Sequence, residues 1–260
     1  VQLIVDGDSL FFDAYSVPEK VKTGFGRIQM VGQSVVPTEI TPEILAKGLA
    51  RVKRRIEDMR SKLFGAEMRI AVRGDGNFRY DIYPEYKSNR KNATTLLKDL
   101  AHETINLALD EGWVIPAHGM EADDLCNIWC NELGVGNYVL AHIDKDLNNI
   151  PGKHFNYRQF VMYDIDETTA MRNYYTQILV GDPTDSIPGA RLIGPVKAAK
   201  RLILCKTEED LQEGVVMGYL DAHPDDWYEK LTLNGSLIHL LRHPTDKFSC
   251  DDWSIVQALR

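Results

Sequence analysis

A chain of 260 residues, 44% apolar and 26% charged, has the mixture of a globular protein, which excludes a disordered, collagen-like or low-complexity polymer. No stretch nears the roughly 18 uninterrupted apolar residues of a membrane span, and the opening VQLIVDGDSLFF lacks the basic start of a signal peptide. The expectation is a cytoplasmic monomer without membrane contact, its four cysteines (Cys126, Cys130, Cys205, Cys250) being reduced core thiols with no CxxC pair. The formal charge of −8 argues against passive attraction to a polyanion. If nine of the 38 acids serve one site, however, the remainder nearly balance the 30 bases, so the position of the acids decides the matter.

In chain order, short apolar runs alternate with helical patterns. Leu3-Ile4-Val5 reads as a first strand. After it comes Ser16–Ile40, a segment without period whose Gly24-Phe25-Gly26 reads as an ordinary loop, with phosphate binding the weaker alternative. Leu45, Leu49, Val52, Ile56, Met59 and Leu63 recur at spacings of four and three, with Thr41-Pro42 as cap and first residue and Gly65 as the stop; they predict a helix. Arg69–Val72 follows as a strand, a second helix spans about Thr94–Asp110, and Trp113–Ile115 is a third strand. A third helix over about Glu121–Leu133 leads to strands at Tyr138–Ala141 and Gln159–Tyr163. The alternation implies an α/β fold, a parallel sheet flanked by helices. After about Thr168 only helices are predicted: Thr169–Leu179, Pro195–Leu204, Glu208–Leu220, Gly235–Arg242 and Asp251–Leu259. This places a domain boundary near residue 166, with a core at 1–166 and a helical region at 167–260.

Ligands of open parallel sheets bind beyond the carboxyl ends of the strands. Acids stand there in turn: Asp6, then Asp75, then Glu121, Asp123 and Asp124, then Asp144 and Asp146, and finally Asp182 and Asp185 in the helical region. Each cluster taken singly reads as a helix cap or a turn. Repetition at every strand end is not explained by capping, because so many converging like charges repel unless cations intervene. Hard oxygen donors without accompanying His or Cys point to two Mg²⁺ ions, with Mn²⁺ as a substitute, and to phosphodiester hydrolysis. Phe78–Arg90 follows Asp75 directly. There Lys87 and Arg90 suit a phosphate and Tyr86 suits a stacked base, against the plainer reading of a surface helix with solvated cations. Gly181–Lys197 is a Gly- and Pro-rich turn leading into a helix with Lys197, Lys200 and Arg201, which suits a backbone phosphate. The bases Lys47, Arg51, Arg54, Arg55 and Lys62 read as a solvated helix face.

With these residues in view, the chain resembles the 5′ nuclease superfamily: flap endonucleases, bacteriophage 5′→3′ exonucleases and the nuclease domain of bacterial DNA polymerase I. The match runs from Asp6 to about Arg201, through Val5-Asp6-Gly7, Gly74-Asp75 with Phe78-Arg79, Tyr83–Lys87 with Asn89-Arg90, Glu121–Asp124, Asp144–Leu147, and Gly181-Asp182 with Asp185. The resemblance implies a PIN-like 5′ nuclease core with a helix–hairpin–helix region. It implies one ion on Asp6, Asp75, Glu121 and Asp123 and a second on Asp144, Asp146, Asp182 and Asp185, with Asp124 in support. Lys87 and Arg90 would hold the scissile phosphate, Tyr86 would stack on the terminal base, and Arg79, Gly189, Gly194, Lys197, Lys200 and Arg201 would complete the nucleic-acid contacts. The implied substrate is DNA with 5′ ends or flaps; RNA or a hybrid is not excluded by the sequence, and the setting is a bacterial or phage-infected cell.

The chain departs from the family in three places. Leu192 stands where the hairpin's first glycine is usual, with Val196 as an extra residue. Only 30 residues, with Lys91 and Lys98, separate Arg90 from Glu121, which predicts a reduced arch. His142 stands where a small hydroxyl residue is common. Three rival readings remain: a haloacid-dehalogenase-type phosphatase with Asp6 as nucleophile and Asp8 as acid, a catalytically idle DNA-binding module, and a ribonuclease on the same core.

Overall fold

A computed structural model describes residues 1–16, 19–22, 28–31, 39–63, 65–92 and 95–260. Gly24, Gly26 and Gly32, and the start of the second predicted helix at Thr94, lie outside the described residues.

The centre is a six-stranded sheet. Its strands are β1 (Gln2–Asp6), β4 (Glu67–Arg73), β5 (Ile115–Ala117), β6 (Tyr138–His142), β7 (Gly152–Asn156) and β8 (Val161–Ile165), in the order β5-β4-β1-β6-β7-β8. All neighbours are parallel except β7 and β8, so the predicted parallel sheet is corrected to a mixed one. The tight turn after Asn156, with Phe160 in the left-handed region (φ 63°), sends β8 back along β7, and a turn of that length permits only an antiparallel return. A separate two-stranded sheet pairs β2 (Glu19–Lys22) antiparallel with β3 (Ile28–Val31).

Helix α1 (Gly7–Ser16) starts where β1 ends, and Gly7 is required there because a Cβ would lie 2.5 Å from the Ala71 carbonyl oxygen. Helix α2 (Pro42–Lys62) follows the predicted stripe, with the Thr41 hydroxyl accepting from the Ile44 N–H. After the short helix α3 (Phe78–Ile82), helix α4 (Thr95–Asp110) lies against α1 and α2, burying Leu97, Leu100, Ala101, Ile105 and Ala108. Most of the described part of the Arg90–Glu121 connection is thus spent on the core. Helix α5 (Ala122–Leu133) covers the opposite face through Ala122, Cys126, Trp129 and Cys130.

Beyond Ile165 the chain is helical: α6 (Glu167–Val180), α7 (Pro195–Leu202), α8 (Glu208–Ala222), α9 (Trp227–Ile238) and α10 (Ser254–Leu259). Their own core contains Ile178, Leu179, Val215, Tyr219, Leu231 and Val256, and it also takes in Tyr86. The predicted Gly235–Arg242 helix is displaced to Trp227–Ile238, because the chain is extended at His239 and the carbonyls beyond it bond side chains of α5. Among the described residues no helix is long and apolar enough to cross a membrane.

Candidate nuclease site

The carboxyl edge of the sheet holds a recess of about 120 Å³, lined by Asp6, Asp8, Glu121, Asp123, Asp144, Asp146 and Asp185 with Tyr86, Lys87 and Arg90. These acids come from four stretches of chain. Asp6 ends β1, Asp8 lies in the first turn of α1, Glu121 and Asp123 open α5, Asp144 and Asp146 follow β6, and Asp185 belongs to the turn after α6. The sheet thus brings together most of the acids that the sequence suggests.

Burial pushes the Asp6 carboxyl up to about 7, with Asp8 and Asp144 adding repulsion. Burial likewise lifts Asp146 to about 7, helped by Asp144, and raises Asp123 well above the usual range, helped by Asp6 and Asp144. Asp8 is raised chiefly by burial, although its Oδ1 accepts the Arg73 N–H at 2.8 Å. The recess therefore holds more negative charge than its own cations neutralise.

Those cations crowd one rim. Lys87 pairs with Glu121 and lies 3.8 Å from Asp185, which also pairs with Arg90. Burial pushes Glu121 up, but Lys87 and Arg79 outweigh it, so Glu121 is held below its ordinary value. Lys87 itself has a left-handed backbone (φ 56°), secured by its N–H donating to the Asp185 carbonyl at 2.8 Å. A lysine gains nothing from that conformation by itself; the surrounding contacts impose it.

Five predicted site residues are placed elsewhere or otherwise engaged. Asp75 does not line the recess: β4 stops at Arg73, Gly74 packs on the Ala117 carbonyl, and the turn carries Asp75 out to solvent. Asp124 cannot offer a free carboxylate, because Arg79 forks onto it at 2.6 and 2.9 Å while the Glu121 and Leu241 N–H groups donate to it. Arg79 is therefore structural; only 1% exposed, it also donates to the Leu237 and His239 carbonyls. Tyr86 is 3% exposed and donates its hydroxyl to Glu121 at 2.9 Å, so its ring is not an open platform for a base. Asp182 sits just behind the recess, accepting from the Thr184 N–H at 2.7 Å and pairing at 3.2 Å with Lys145, which also approaches Asp146.

A broader trough of about 1030 Å³ opens from the recess and shares Asp8, Tyr86, Lys87, Arg90 and Glu121 with it. Arg73, Tyr80, Lys98, His102 and Arg158 add a basic, partly aromatic wall. Asp8 and this wall are the site features that motif reading missed. Asp8 was legible as the first turn of a helix whose stripe is Leu10, Phe11, Ala14 and Tyr15. The wall has no signal in sequence, because its members are scattered over three elements and a turn.

In the helical region, α6, the turn through Gly181–Gly194 and α7 form the hairpin. Gly181 (φ 72°) and Gly189 (φ 65°) approach each other so closely that a Cβ on either would lie within 2.5 Å of backbone. Leu192 takes the left-handed conformation (φ 62°) suited to the expected glycine and is 79% exposed, and Gly194 caps α7. Lys197 and Lys200 are exposed, whereas Arg201 pairs with Asp221. On α2, Lys47 pairs with Glu43, Arg51 donates to the Ala14 carbonyl and Arg55 pairs with Asp13.

The donor chemistry fits hard divalent cations: carboxylates alone, crowded enough to raise their proton affinity. Among the described residues, no three His, Cys, Asp or Glu side chains stand close enough together to form a ready-made ligand set. Glu121 and Asp185 instead hold Lys87 and Arg90.

The six-stranded mixed sheet with acids at its carboxyl edge and helices beside it is similar to the fold of the bacteriophage T5 5′-exonuclease. No family model matches the chain. The flap endonuclease Xni of Pseudoalteromonas translucida (strain TAC 125) is 25% identical over 174 residues, spanning 62% of this chain and 67% of the relative. A bacteriophage T5 flap endonuclease solved in complex with DNA and metal ions matches with a TM-score of 0.65 at 17% identity, covering 92% of this chain and 89% of that one. A T5 5′-exonuclease with bound zinc gives 0.62 at 17% identity over the same shares. The chain thus has the fold of the T5 enzyme, and the motif resemblance to the 5′ nuclease superfamily holds.

Proposed function

We propose that this protein is a divalent-metal-dependent 5′→3′ exonuclease and flap endonuclease that hydrolyses DNA phosphodiesters. The observation that carries the reading is the convergence of acids from four chain stretches on one recess, which opens into a basic trough large enough for a nucleic-acid strand. Asp6, Glu121 and Asp123 would hold one ion; Asp144, Asp146 and Asp185 would hold a second, with Asp182 behind them and Asp8 beside both. When bound, such ions lower the pKa of water and neutralise the phosphate under attack.

The chain's own residues supply the rest. Lys87 and Arg90 line both the recess and the trough, as Asp8 and Glu121 do, so a phosphate passing from trough to recess meets both cations. Burial opposes the charge on Lys87, but Glu121 and Asp185 outweigh it and keep the ammonium protonated and ready to donate. Its interaction strengthens as negative charge builds on the phosphoryl oxygens, which favours the transition state over the ground state. Tyr80, half exposed on the trough wall with its ring edge-on to Tyr86 at 5.5 Å between centroids, replaces Tyr86 as the aromatic surface for a base. Lys197 and Lys200 on α7 suit duplex phosphates, so affinity falls as salt rises.

The decisive experiment is single-turnover cleavage of a 5′-flap DNA labelled separately at each end, with Mg²⁺ or with EDTA. Mg²⁺-dependent release of a short 5′-labelled product is expected. Tight flap binding without cleavage in Mg²⁺ or Mn²⁺ would make the protein a binding module, and brisk turnover of an aryl phosphate would favour the phosphatase.

A further inference from the structure

His142 and His154 are both fully buried, in the middle of a sheet where apolar side chains would pack at less cost. They form a continuous polar chain. His142 Nδ1 donates to the Asp144 carbonyl at 2.6 Å, His142 Nε2 faces His154 Nδ1 at 2.8 Å, and His154 Nε2 lies 2.9 Å from the Ile150 carbonyl. Tyr163, the cross-strand partner of His154, brings its hydroxyl to 3.2 Å from His142 Nε2 and donates to Asn148 Oδ1 at 3.0 Å. Three strands therefore contribute to one cluster. Its point of contact with the recess is the peptide group of Asp144.

Asp144 is held at two points, its backbone carbonyl and its side chain. The His142 ring fixes the Asp144 carbonyl, and the Asp144 carboxylate accepts the Asp146 N–H at 2.9 Å. The turn after β6 is thereby oriented so that both carboxylates reach the recess. A carbonyl can only accept, so the ring must carry its proton on Nδ1.

We propose that His142, backed by His154 and Tyr163, is a positioning residue that sets Asp144 and Asp146 for divalent-cation binding. The role rests on the metal reading given above. Groups that orient ligands from behind typically change metal affinity about 10–100-fold when removed.

The test is Mn²⁺ binding to the purified protein without DNA, followed by calorimetry or by the loss of free-Mn²⁺ paramagnetic signal, together with flap-DNA affinity in EDTA. His142→Leu removes the bond. His142→Asn returns an N–H near the Nδ1 position, and His142→Gln puts it near Nε2. The expected result is Mn²⁺ affinity about 10–100-fold weaker in His142→Leu and His142→Gln, close to normal in His142→Asn, with DNA affinity in EDTA unchanged throughout. Amide exchange at the Asp146 N–H should quicken in the two weakened variants. Unchanged Mn²⁺ binding in a folded His142→Leu protein would overturn the role while leaving the metal reading intact. If His142→Leu does not fold, the Asn and Gln variants decide, and equal Mn²⁺ affinities would overturn it. Failure of the unaltered protein to bind Mn²⁺ would overturn the metal reading, and this role with it.

Discussion

Two groups of buried acids lie a few residues apart in sequence and behave in opposite ways. Asp124 is matched: the Arg79 guanidinium and two backbone N–H groups use its oxygens fully. Asp123, one residue earlier, faces Asp6 and Asp144, and burial with that repulsion raises its proton affinity. Helical geometry separates them, since adjacent positions on α5 point about 100° apart. The lesson is that an acid's neighbours, rather than its motif, decide its part. Matched acids hold the fold together, and unmatched acids are the ones that the proposed metal reading gives to a cation.

Changes to the unmatched set should remove activity without loss of fold. Asp144→Asn combined with Asp146→Asn should abolish single-turnover cleavage and leave flap binding largely intact, since two mutually repelling charges are lost. Cleavage at an undiminished rate would dissolve the contrast with Asp124. The matched set should respond in the reverse sense. Arg79→Met strands Asp124 in the interior, and losing one partner of a buried ion pair costs about 3–5 kcal/mol. Urea denaturation should show a loss of that size, and a loss below about 1 kcal/mol would mean that Asp124 is not matched by Arg79.

Lys87 belongs to the rim between the two groups. Lys87→Ala should lower the single-turnover rate about 10²–10³-fold, the range for removing a preorganised donor, with a smaller effect on DNA affinity. Equal losses in both would reduce Lys87 to a binding contact. The mildest test is pH. Asp6 and Asp146 titrate near 7 in the folded protein, above the ordinary 3.8, so the folded state binds protons that the unfolded chain has released. Stability from this source is full below about pH 4 and declines as pH rises through about 7. In EDTA, Tm should therefore be several degrees lower at pH 8 than at pH 6, and Mg²⁺ at pH 8 should restore it. A Tm insensitive to both would show that the recess carries no unmatched charge.

Much of this was legible in the chain. The stripe from Leu45 to Leu63 gave α2, and the acids after Val5, Ala141 and Met120 gave most of the recess. β7 was hidden because Gly-Lys-His-Phe-Asn lacks the apolar alternation of a strand; its His154 is satisfied by hydrogen bonds that only the folded sheet supplies. Helix α1 was overlooked because its stripe begins inside the motif at Asp6. Asp75 and Asp124 were assigned from their places after strand ends, Tyr86 from its place beside Lys87, and Arg79 from the resemblance alone. Whether a motif side chain turns inward depends on partners such as Leu237 and Leu241, more than 100 residues away, which local spacing does not encode.

The Arg79 fork has one more consequence. It ties the start of α5 to the carbonyls of Leu237 and His239, so the floor of the recess is finished by chain synthesised long after its acids. A fragment comprising only 1–166 would keep every strand and six of the seven recess acids, yet leave a buried guanidinium with two donors unanswered. The last quarter of the polypeptide thus acts as a clasp: a truncated or half-made chain holds its acids without the closure that sets them.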